Sequence, residues 1–402
     1  MKIAFVIPWF GWGIPGGAEA ECKGLAKHFH KAGIEVEVLT TCVKEFSANW
    51  NEDYHKPGMT KEDGIDIPIR RFKVRPMDPG IFGPINQKLM KCELPLTKEE
   101  EDGYLREMIN SPDLYEYMRK HKAEYDLFVF MPYMFGTTLN GAKEVYDKAV
   151  IIPCFHEEGY IHMNCMKEVF ERVAGMAFLA APEGELANKT YDLSKVNNQV
   201  MGAGVDCDMD GDAKRFREKY NIDSPFILYA GRKEVGKNIY ELMFNFMEYK
   251  DRHPSSDMKL VLLGGGHVSI PARIRKDVFD LGFVPVQDKF DAYAAADLLC
   301  QPSEHESFSI VIMESWLMKR PVIVSGNCAV TKNFAIESQG GLYYDNYYEF
   351  EAAVDYIINN DEIAHEMGEN GRAYVLRNFH WDVIVEKYTK LFEEVINSNG
   401  GR

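Results

Sequence analysis

The chain has 402 residues, carries a formal net charge of −16 at pH 7, and is 46% hydrophobic and 12% aromatic. At roughly 100–200 residues per domain, this length favours two domains, each with a substantial core. The acidic balance argues against a general nucleic-acid-binding protein, because contacts with a phosphate backbone need a basic surface. A small phosphate-bearing ligand is not excluded, since one or two cations are enough to hold it.

The eight cysteines are scattered, without a CxxC pair or a spacing typical of metal sites. We expect them to be small buried residues in a reducing compartment. No apolar stretch approaches the length of about 18 residues that a membrane span needs. The apolar run after Met1 is too short for a signal peptide. These features predict a cytoplasmic protein, and peripheral contact with the inner face of a membrane stays open.

The first half of the chain opens with a βαβ pattern. A short apolar run, Lys2–Pro8, precedes a glycine-rich turn, a helical segment over Ala18–Ala32 and an alternating strand over Glu35–Thr40. Further strands are predicted at Leu127–Phe130, Ala149–Pro153 and Gly175–Ala180. Residues 74–125 lack clear strands and carry Pro, Gly and an acidic cluster, which predicts a partly helical insertion.

The second half repeats this alternation of strands and helices. A strand at Phe226–Ala230 leads into a helix near Asn238–Arg252, and further strands follow at Leu260–Leu263, Leu298–Gln301 and Val322–Ser325. Such alternation predicts two doubly wound parallel sheets in an α/β protein. A polar, glycine-rich stretch places the boundary between domains of residues 1–204 and 205–380. The last helix, from residue 381 onward, fits either domain, including packing back on the first.

The first loop, residues 11–17, reads GWGIPGG and contains the GxGxxG pattern of a dinucleotide site. The loop matches a dinucleotide site poorly in detail. Trp12 and Pro15 make the turn bulky, and the next strand ends without the acidic residue that would bind a ribose. Gly16 and Gly17 still allow backbone to approach a ligand at a helix start, where N–H groups favour an anion. A tight turn without a ligand is the alternative.

The strongest motif lies where a strand ends and a helix is predicted to begin. Glu306 precedes the helix at the carboxyl end of the strands, which is where such sheets bind ligands. Glu314 lies inside the apolar helix and needs a partner, because burying an isolated carboxylate is costly. The backbone N–H groups of Phe308, Ser309 and Ile310 are available for a phosphate. A core helix with a satisfied glutamate is the alternative.

A second motif, GRKEVGKN at residues 231–238, also follows a strand and precedes a helix. Arg232 and Lys237 would face an anion at the strand ends. Fixed cations at this place stabilise the negative charge that develops on a departing diphosphate. Exposed surface charges are the alternative interpretation.

These two motifs together resemble the retaining glycosyltransferase family four, which has the GT-B fold of two Rossmann-like domains facing each other across a cleft. Glu306 and Glu314 match its E-x7-E segment. The resemblance implies that Glu314 binds the ribose of a nucleotide and that Glu306 contacts the transferred sugar. It also implies that Arg232 and Lys237 clamp the pyrophosphate.

Weaker matches extend the resemblance along the chain. The segment with Phe283 and Val284 matches the place where the family lays backbone against the nucleobase. His156 is similar to a family histidine that contacts the donor sugar, although a structural histidine is the alternative. Asp206 begins a stretch like a calcium loop, but position twelve is Arg217 rather than glutamate, so we expect no metal.

The resemblance implies a metal-independent hexosyltransferase without a cofactor. It would transfer a sugar with retention from a UDP- or GDP-sugar to a hydroxyl of a glycan or lipid-linked acceptor, in polysaccharide or glycoconjugate biosynthesis. A sugar-nucleotide epimerase or phosphorylase of the GT-B fold and a non-catalytic nucleotide-sugar-binding protein remain alternatives. The acceptor is expected on the first domain. A basic segment there is either a membrane-facing surface or an exposed strand face, and consists of Arg70, Arg71, Lys73 and Arg75.

Overall fold

A computed structural model of the protein describes residues 1–11, 13–14, 16–62 and 64–400. Trp12 and Pro15, which the sequence places in a bulky turn, lie outside these residues. The chain divides into two compact units. The first comprises Met1–Gly204 with the C-terminal segment from Trp381, and the second comprises Val205–His380.

The first unit is built on a sheet with helices packed against it. Its strands are β1 (Lys2–Ile7), β2 (Glu35–Thr41), β3 (Gly58–Glu62), β4 (Ile65–Phe72), β5 (Leu127–Phe130), β6 (Ala149–Ile151), β7 (Gly175–Phe178) and β8 (Asn197–Val200). Its helices before the boundary are α1 (Gly17–Lys31), α2 (Pro79–Met90), α3 (Lys98–Glu107), α4 (Pro112–His121), α5 (Gly136–Glu144), α6 (Asn164–Phe170) and α7 (Ala181–Thr190). Single 3-10 turns lie at Lys122–Glu124, Tyr146–Lys148 and Gly159–His162.

The strands of this sheet have the order β3-β4-β2-β1-β5-β6-β7-β8. Central β1 pairs in parallel with β2 and β5. It is a continuous apolar run, because a parallel strand has helices on both faces. The edge pair β3 and β4, which the sequence pattern did not predict, is antiparallel. Only residues 63 and 64 connect these strands, too few for the crossover that a parallel pair needs.

The second unit repeats the arrangement with parallel pairs. Its strands are β9 (Phe226–Ala230), β10 (Lys259–Leu263), β11 (Val278–Gly282), β12 (Leu298–Gln301), β13 (Val322–Ser325) and β14 (Gly341–Tyr344), in the sheet order β11-β10-β9-β12-β13-β14. Its helices are α8 (Ala213–Tyr220), α9 (Ile239–Arg252), α10 (Val286–Ala295), α11 (Ile310–Leu317), α12 (Ala329–Ser338), α13 (Tyr347–Ile358) and α14 (Asp361–Asn378), with 3-10 turns at Val235–Lys237 and Arg275–Asp277. The prediction of two Rossmann-like doubly wound sheets is confirmed.

The predicted insertion between residues 74 and 125 contains α2, α3 and α4. Each helix begins at a capping residue: Asp78, Thr97 and Ser111 accept hydrogen bonds from backbone N–H groups of the first turn. The cap of α3 is a capping box, in which Thr97 and Glu100 satisfy each other's N–H groups. The acidic cluster of the sequence is therefore the first turn of α3, where negative charge stabilises a helix.

The last helix, α15 (Trp381–Gly400), packs in the first unit. Trp381 stacks on His28, with ring centroids 4.3 Å apart. A side chain at Gly24 or at Gly204 would come within 2.2 Å of the Trp381 ring, so both close contacts require glycine. None of the helices within the described residues is both long and apolar enough to span a bilayer.

Candidate functional site

Apart from Ile310 and Glu314, which lie in α11, the candidate residues of the second unit lie on loops at the carboxyl edge of its sheet. Strands β9, β10, β11 and β12 are parallel neighbours, so the segments that follow them emerge at the same edge. This edge is where open α/β sheets bind ligands. The two predicted motifs follow β9 and β12, which are adjacent in the sheet.

Glu306 and Lys237 form an ion pair at this edge. The Lys237 ammonium donates to Glu306 Oε1 at 2.8 Å, and Gln301 Nε2 contacts the same oxygen at 3.4 Å. The side chains of Lys237 and Glu306 are 23% and 10% exposed, so the pair is largely shielded from water. Removing one partner would leave the other charge poorly solvated and uncompensated. Lys237 ends a 3-10 turn that Asn238 joins to α9 with a left-handed φ of 55°.

The sequence predicts that this helix begins near Phe308. In the structure, helix α11 begins two residues later, at Ile310. Ser309 precedes it in a left-handed conformation, with φ 70° and ψ 74°, and its hydroxyl contacts Gln301 Nε2 at 3.2 Å. Phe308 is buried, and its ring packs on Phe334 and Phe379. The structure thus uses Phe308 as a core anchor, and of the three predicted phosphate-binding residues only Ile310 lies in the helix.

Glu314 has the partner that its burial requires. Its Oε1 accepts from the Lys289 ammonium at 2.5 Å and its Oε2 from the Tyr293 hydroxyl at 2.9 Å. Lys289 and Tyr293 lie one turn apart on α10, so both side chains reach the same carboxylate. Burial, with the charge of Glu314 added, holds the pKa of Tyr293 well above its usual value, so Tyr293 remains a donor. Lys289, Tyr293 and Gln301 lie outside the recognised motifs, so the sequence did not indicate them as site residues.

Arg232 and Phe283 lie on the exposed side of the same edge. The Arg232 side chain is 55% exposed and its guanidinium is 3.1 Å from Glu234. Phe283 is 79% exposed and follows Gly282, which has a left-handed φ of 64°. Val284, the next residue, is half-buried.

In the first unit, Gly16 and Gly17 lie at the start of α1, as predicted. The Glu19 carboxylate also lies at this helix end: a Cβ on Gly16 would be 1.9 Å from Glu19 Oε2. Trp9 Nε1 donates to Glu19 Oε1 at 2.5 Å. An anionic ligand at Gly16 and Gly17 would therefore require Glu19 to move aside, because like charges repel.

His156 is half-buried on the loop after β6. Its Nε2 is 3.2 Å from Glu158 Oε1, which also accepts from the Tyr133 hydroxyl at 2.6 Å. The preceding residue, Phe155, donates its N–H to Glu183 Oε1 at 2.6 Å. Burial raises the pKa of Glu183 to about 8. Glu158 and Glu183 therefore both contact the loop that carries His156, at His156 and at Phe155 respectively.

The basic segment of the first unit is largely engaged within the protein. Arg70 and Arg71 lie on β4. Arg70 pairs with Glu37 at 2.8 Å, the buried Arg71 donates to the Phe10 carbonyl at 2.8 Å, and Arg75 pairs with Glu107 at 3.4 Å. Lys73 is exposed. Arg70, Arg71 and Arg75 are therefore engaged in contacts within the first unit, and buried Arg71 is not part of an exposed strand face.

Comparison with known proteins finds a family match within the second unit. Residues 211–374 match the family model described as glycosyl transferases group 1. An uncharacterised glycosyltransferase of Methanocaldococcus jannaschii is 23% identical over 425 residues, which cover 100% of both chains. A D-inositol 3-phosphate glycosyltransferase of Corynebacterium jeikeium is 25% identical over 227 residues, covering 51% of this chain and 54% of that protein.

Solved structures share the fold. A sucrose-phosphate synthase of Thermosynechococcus elongatus superimposes with a TM-score of 0.72 at 16% identity, over 99% of both chains. The protein HepE of Anabaena, in complex with UDP-glucose, superimposes with a TM-score of 0.67 at 16% identity, over 99% of this chain and 100% of that chain. The chain therefore has the sheets and helices of GT-B glycosyltransferases. With a group 1 domain in its second unit, the protein is a glycosyltransferase.

Proposed function

We propose that the protein is a retaining hexosyltransferase of glycosyltransferase family four. It would transfer a sugar from a nucleoside-diphosphate sugar to a hydroxyl of a glycan or lipid-linked acceptor, in polysaccharide or glycoconjugate biosynthesis. The observation that carries this proposal is the ion pair of Lys237 and Glu306, 2.8 Å long, beside the start of the helix that contains Glu314.

Glu306 and Glu314 follow one another along the carboxyl edge of the second sheet, in an order that suits a nucleoside-diphosphate sugar. Glu306 precedes α11, whereas Glu314 lies about one turn inside it. A nucleoside-diphosphate sugar has its ribose and its transferred sugar at opposite ends of a diphosphate. We assign Glu314 to the ribose hydroxyls and Glu306 to the sugar. Lys237, Arg232 and the first N–H groups of α11 hold the diphosphate between them.

Lys237 is the residue that we expect to stabilise the departing diphosphate. Without a donor its ammonium compensates Glu306, and a diphosphate carries enough negative charge to compete for it. As the bond between the sugar and the phosphate breaks, negative charge grows on the diphosphate, and a cation already in place stabilises it without reorganisation. The acceptor hydroxyl attacks the anomeric carbon while the departing phosphate takes its proton. No carboxylate serves as a covalent nucleophile in this scheme.

Similar proteins support a UDP-sugar as the first donor to test. HepE of Anabaena was crystallised with UDP-glucose, and a trehalose-6-phosphate synthase structure from E. coli contains UDP-2-fluoro glucose. GDP-sugars belong in the same experiment, because the sequence motifs leave the donor base open between uracil and guanine. For the first unit we propose that His156 contacts the donor sugar, and that Gly16 and Gly17 approach its phosphates.

A thermal-shift screen with UDP, GDP and their sugars tests donor binding. A ligand at 100 times its dissociation constant stabilises the folded state by about 2.7 kcal/mol. We expect one nucleotide and its sugars to raise the melting temperature, and NADH to leave it unchanged. Stabilisation by NADH alone would contradict the proposal and favour a dehydrogenase.

Product analysis separates transfer from its alternatives. The protein is incubated with the stabilising donor, with and without a panel of sugar and lipid-linked acceptors, and the products are followed by NMR. We expect a new glycosidic bond with the anomeric configuration of the donor. An epimerised donor formed without acceptor, or binding without any turnover, would overturn the proposed transferase activity.

A further inference from the structure

The segment RKEVGK contains three cations, and the structure gives them different environments. Arg232 has a side chain that is 55% exposed, and the Lys237 side chain is 23% exposed. Lys233 is 3% exposed, although it lies between Arg232 and Glu234 on the same loop. A lysine this deeply buried needs its charge compensated, because desolvating an ammonium is costly. The hydrogen bonds of the Lys233 ammonium therefore compensate its charge inside the protein.

Lys233 connects the loop after β9 with the two neighbouring strand ends. Its ammonium donates to the Gly264 carbonyl and, at 2.8 Å, to Asp280 Oδ1. Its backbone N–H donates to the Gly265 carbonyl at 2.7 Å. Gly264 and Gly265 follow β10, whereas Asp280 lies in β11. One side chain thus joins segments from three adjacent strands.

Asp280 extends this connection to the segment that carries Phe283. The same oxygen, Oδ1, accepts from the Gly282 N–H at 3.2 Å. The Gly264 N–H in turn donates to the Gly282 carbonyl at 2.8 Å. Gly282 is therefore held through both its N–H and its carbonyl, and Phe283 is the next residue. The loop after β11 cannot move independently of Lys233.

The loops after β9, β10 and β11 pack closely against one another. A Cβ on Gly264, which has φ 109°, would lie 2.2 Å from the Gly231 carbonyl oxygen. A Cβ on Gly265 would lie 2.5 Å from the Phe283 ring, so the ring rests directly on that backbone. Phe283 is nevertheless 79% exposed. It is an exposed aromatic side chain on a fixed support, as a platform for a planar ligand group requires.

We propose that Lys233 and Asp280 are positioning residues that fix the Phe283 loop relative to the loop with Arg232, and so determine affinity for the donor's nucleobase. Lys233 itself does not hold the diphosphate, because its ammonium is buried and donates to the Gly264 carbonyl and to Asp280 inside the protein. The assignment of the ligand rests on the proposed function. The connection between the loops rests only on the contacts above.

Isothermal titration with UDP, GDP and inorganic pyrophosphate tests this proposal on the full chain. In Lys233→Met the linear side chain remains but the charge is lost, and the partly exposed Asp280 can return to water. We expect the dissociation constant of the preferred nucleotide to rise about tenfold, as loss of a charged hydrogen bond predicts. Affinity for pyrophosphate should stay within about twofold of wild type. In the matched variant Lys237→Met, nucleotide and pyrophosphate should weaken together.

A double variant, Lys233→Met with Asp280→Leu, guards against misfolding, because replacing both partners leaves no uncompensated charge. It should show the same selective loss of nucleotide affinity. Equal weakening of nucleotide and pyrophosphate binding, or unchanged affinity for both, would overturn the proposal.

Amide hydrogen exchange without ligand gives a second readout: the N–H groups of Gly264 and Gly282 should exchange faster in Lys233→Met. If wild type binds neither UDP nor GDP, the proposed function fails as well, whereas exchange still decides whether Lys233 links the loops.

Discussion

Four glutamates with little exposed surface contact two kinds of partner: Glu306 and Glu314 in the second unit, and Glu21 and Glu183 in the first. In the second unit, Glu306 and Glu314 accept hydrogen bonds from Lys237 and Lys289. In the first unit, Glu183 accepts from the backbone N–H groups of Phe155 and Leu179. Glu21 of the same unit accepts from the Gly204 N–H at 3.2 Å.

The two kinds of partner allow different behaviour. A lysine side chain can turn toward an arriving phosphate and leave its carboxylate available to a sugar hydroxyl. A backbone N–H cannot leave its carboxylate unless the chain itself moves. Burial raises the pKa of both Glu21 and Glu183 to about 8, because backbone hydrogen bonds compensate the lost hydration only in part. Under the proposed function, Glu306 and Glu314 serve the ligand, whereas Glu21 and Glu183 hold segments of the first unit.

The largest effect should follow from Lys237→Met. Removing the cation that stabilises the departing diphosphate should lower kcat by about 10²–10³-fold, the range found when one such group is deleted. The exposed Lys214→Met is the matched control, because that side chain is 84% exposed and lies on α8. Steady-state rates with the donor found by thermal shift measure the difference. Equal turnover of both variants would remove Lys237 from the mechanism.

Glu183→Ala should cause the largest loss of stability. Both of its oxygens accept backbone N–H groups inside the first unit, and these donors would be left buried without a partner. We expect the free energy of unfolding to fall by about 3 kcal/mol in urea titrations. The neighbouring Glu185→Ala, exposed on the same helix, should stay within about 0.5 kcal/mol of wild type. A similar small change for Glu183→Ala would show that backbone partners do not bind this glutamate firmly.

Glu314→Gln tests the second unit's lysine-paired carboxylate. The amide keeps the shape but cannot accept two ribose hydroxyls as a charged group. We expect the KM for the donor to rise about tenfold, with kcat changed by less than about threefold, because the ribose lies away from the reacting bond. A fall in kcat with unchanged KM would assign Glu314 to the chemical step instead of nucleotide binding.

Much of the site follows from local sequence. Glu306, Arg232 and Lys237 each come shortly after a short apolar strand, and parallel strands bring such positions to one edge. The alternation of strands and helices likewise predicted two Rossmann-like sheets. These features depend on patterns within about ten residues, which a single sequence displays directly.

The rest depends on contacts between distant residues. Glu21 meets Gly204 across 183 positions, and Lys233 meets Asp280 across 47. Lysines 233 and 237 look alike in the sequence, yet one is buried inside the loops and the other faces the site. The antiparallel pair β3 and β4 was missed because β3 is short and mostly polar, and because Arg71 stands where the alternation in β4 would place an apolar residue. Partner choice in these cases is set by tertiary packing.

The pH dependence that Glu21 imposes on stability is the sharpest test of the first unit. Its pKa is about 8 in the folded protein, against 4.5 when exposed. The unfolded chain therefore loses this proton first as pH rises, so the contribution of Glu21 to stability is complete below about pH 4.5 and disappears by about pH 8. The slope between these limits is at most roughly 1.4 kcal/mol per pH unit.

Glu21→Gln removes the titrating group and with it this slope. One carboxylate oxygen of Glu21 is buried without a hydrogen-bond partner in the described structure, so ionisation there is particularly costly. We expect the melting temperature of the variant, relative to wild type, to increase steadily from pH 5 to pH 8. A constant difference in melting temperature between variant and wild type over this pH range would show that the buried Glu21 carboxyl does not impose the expected pH dependence on stability.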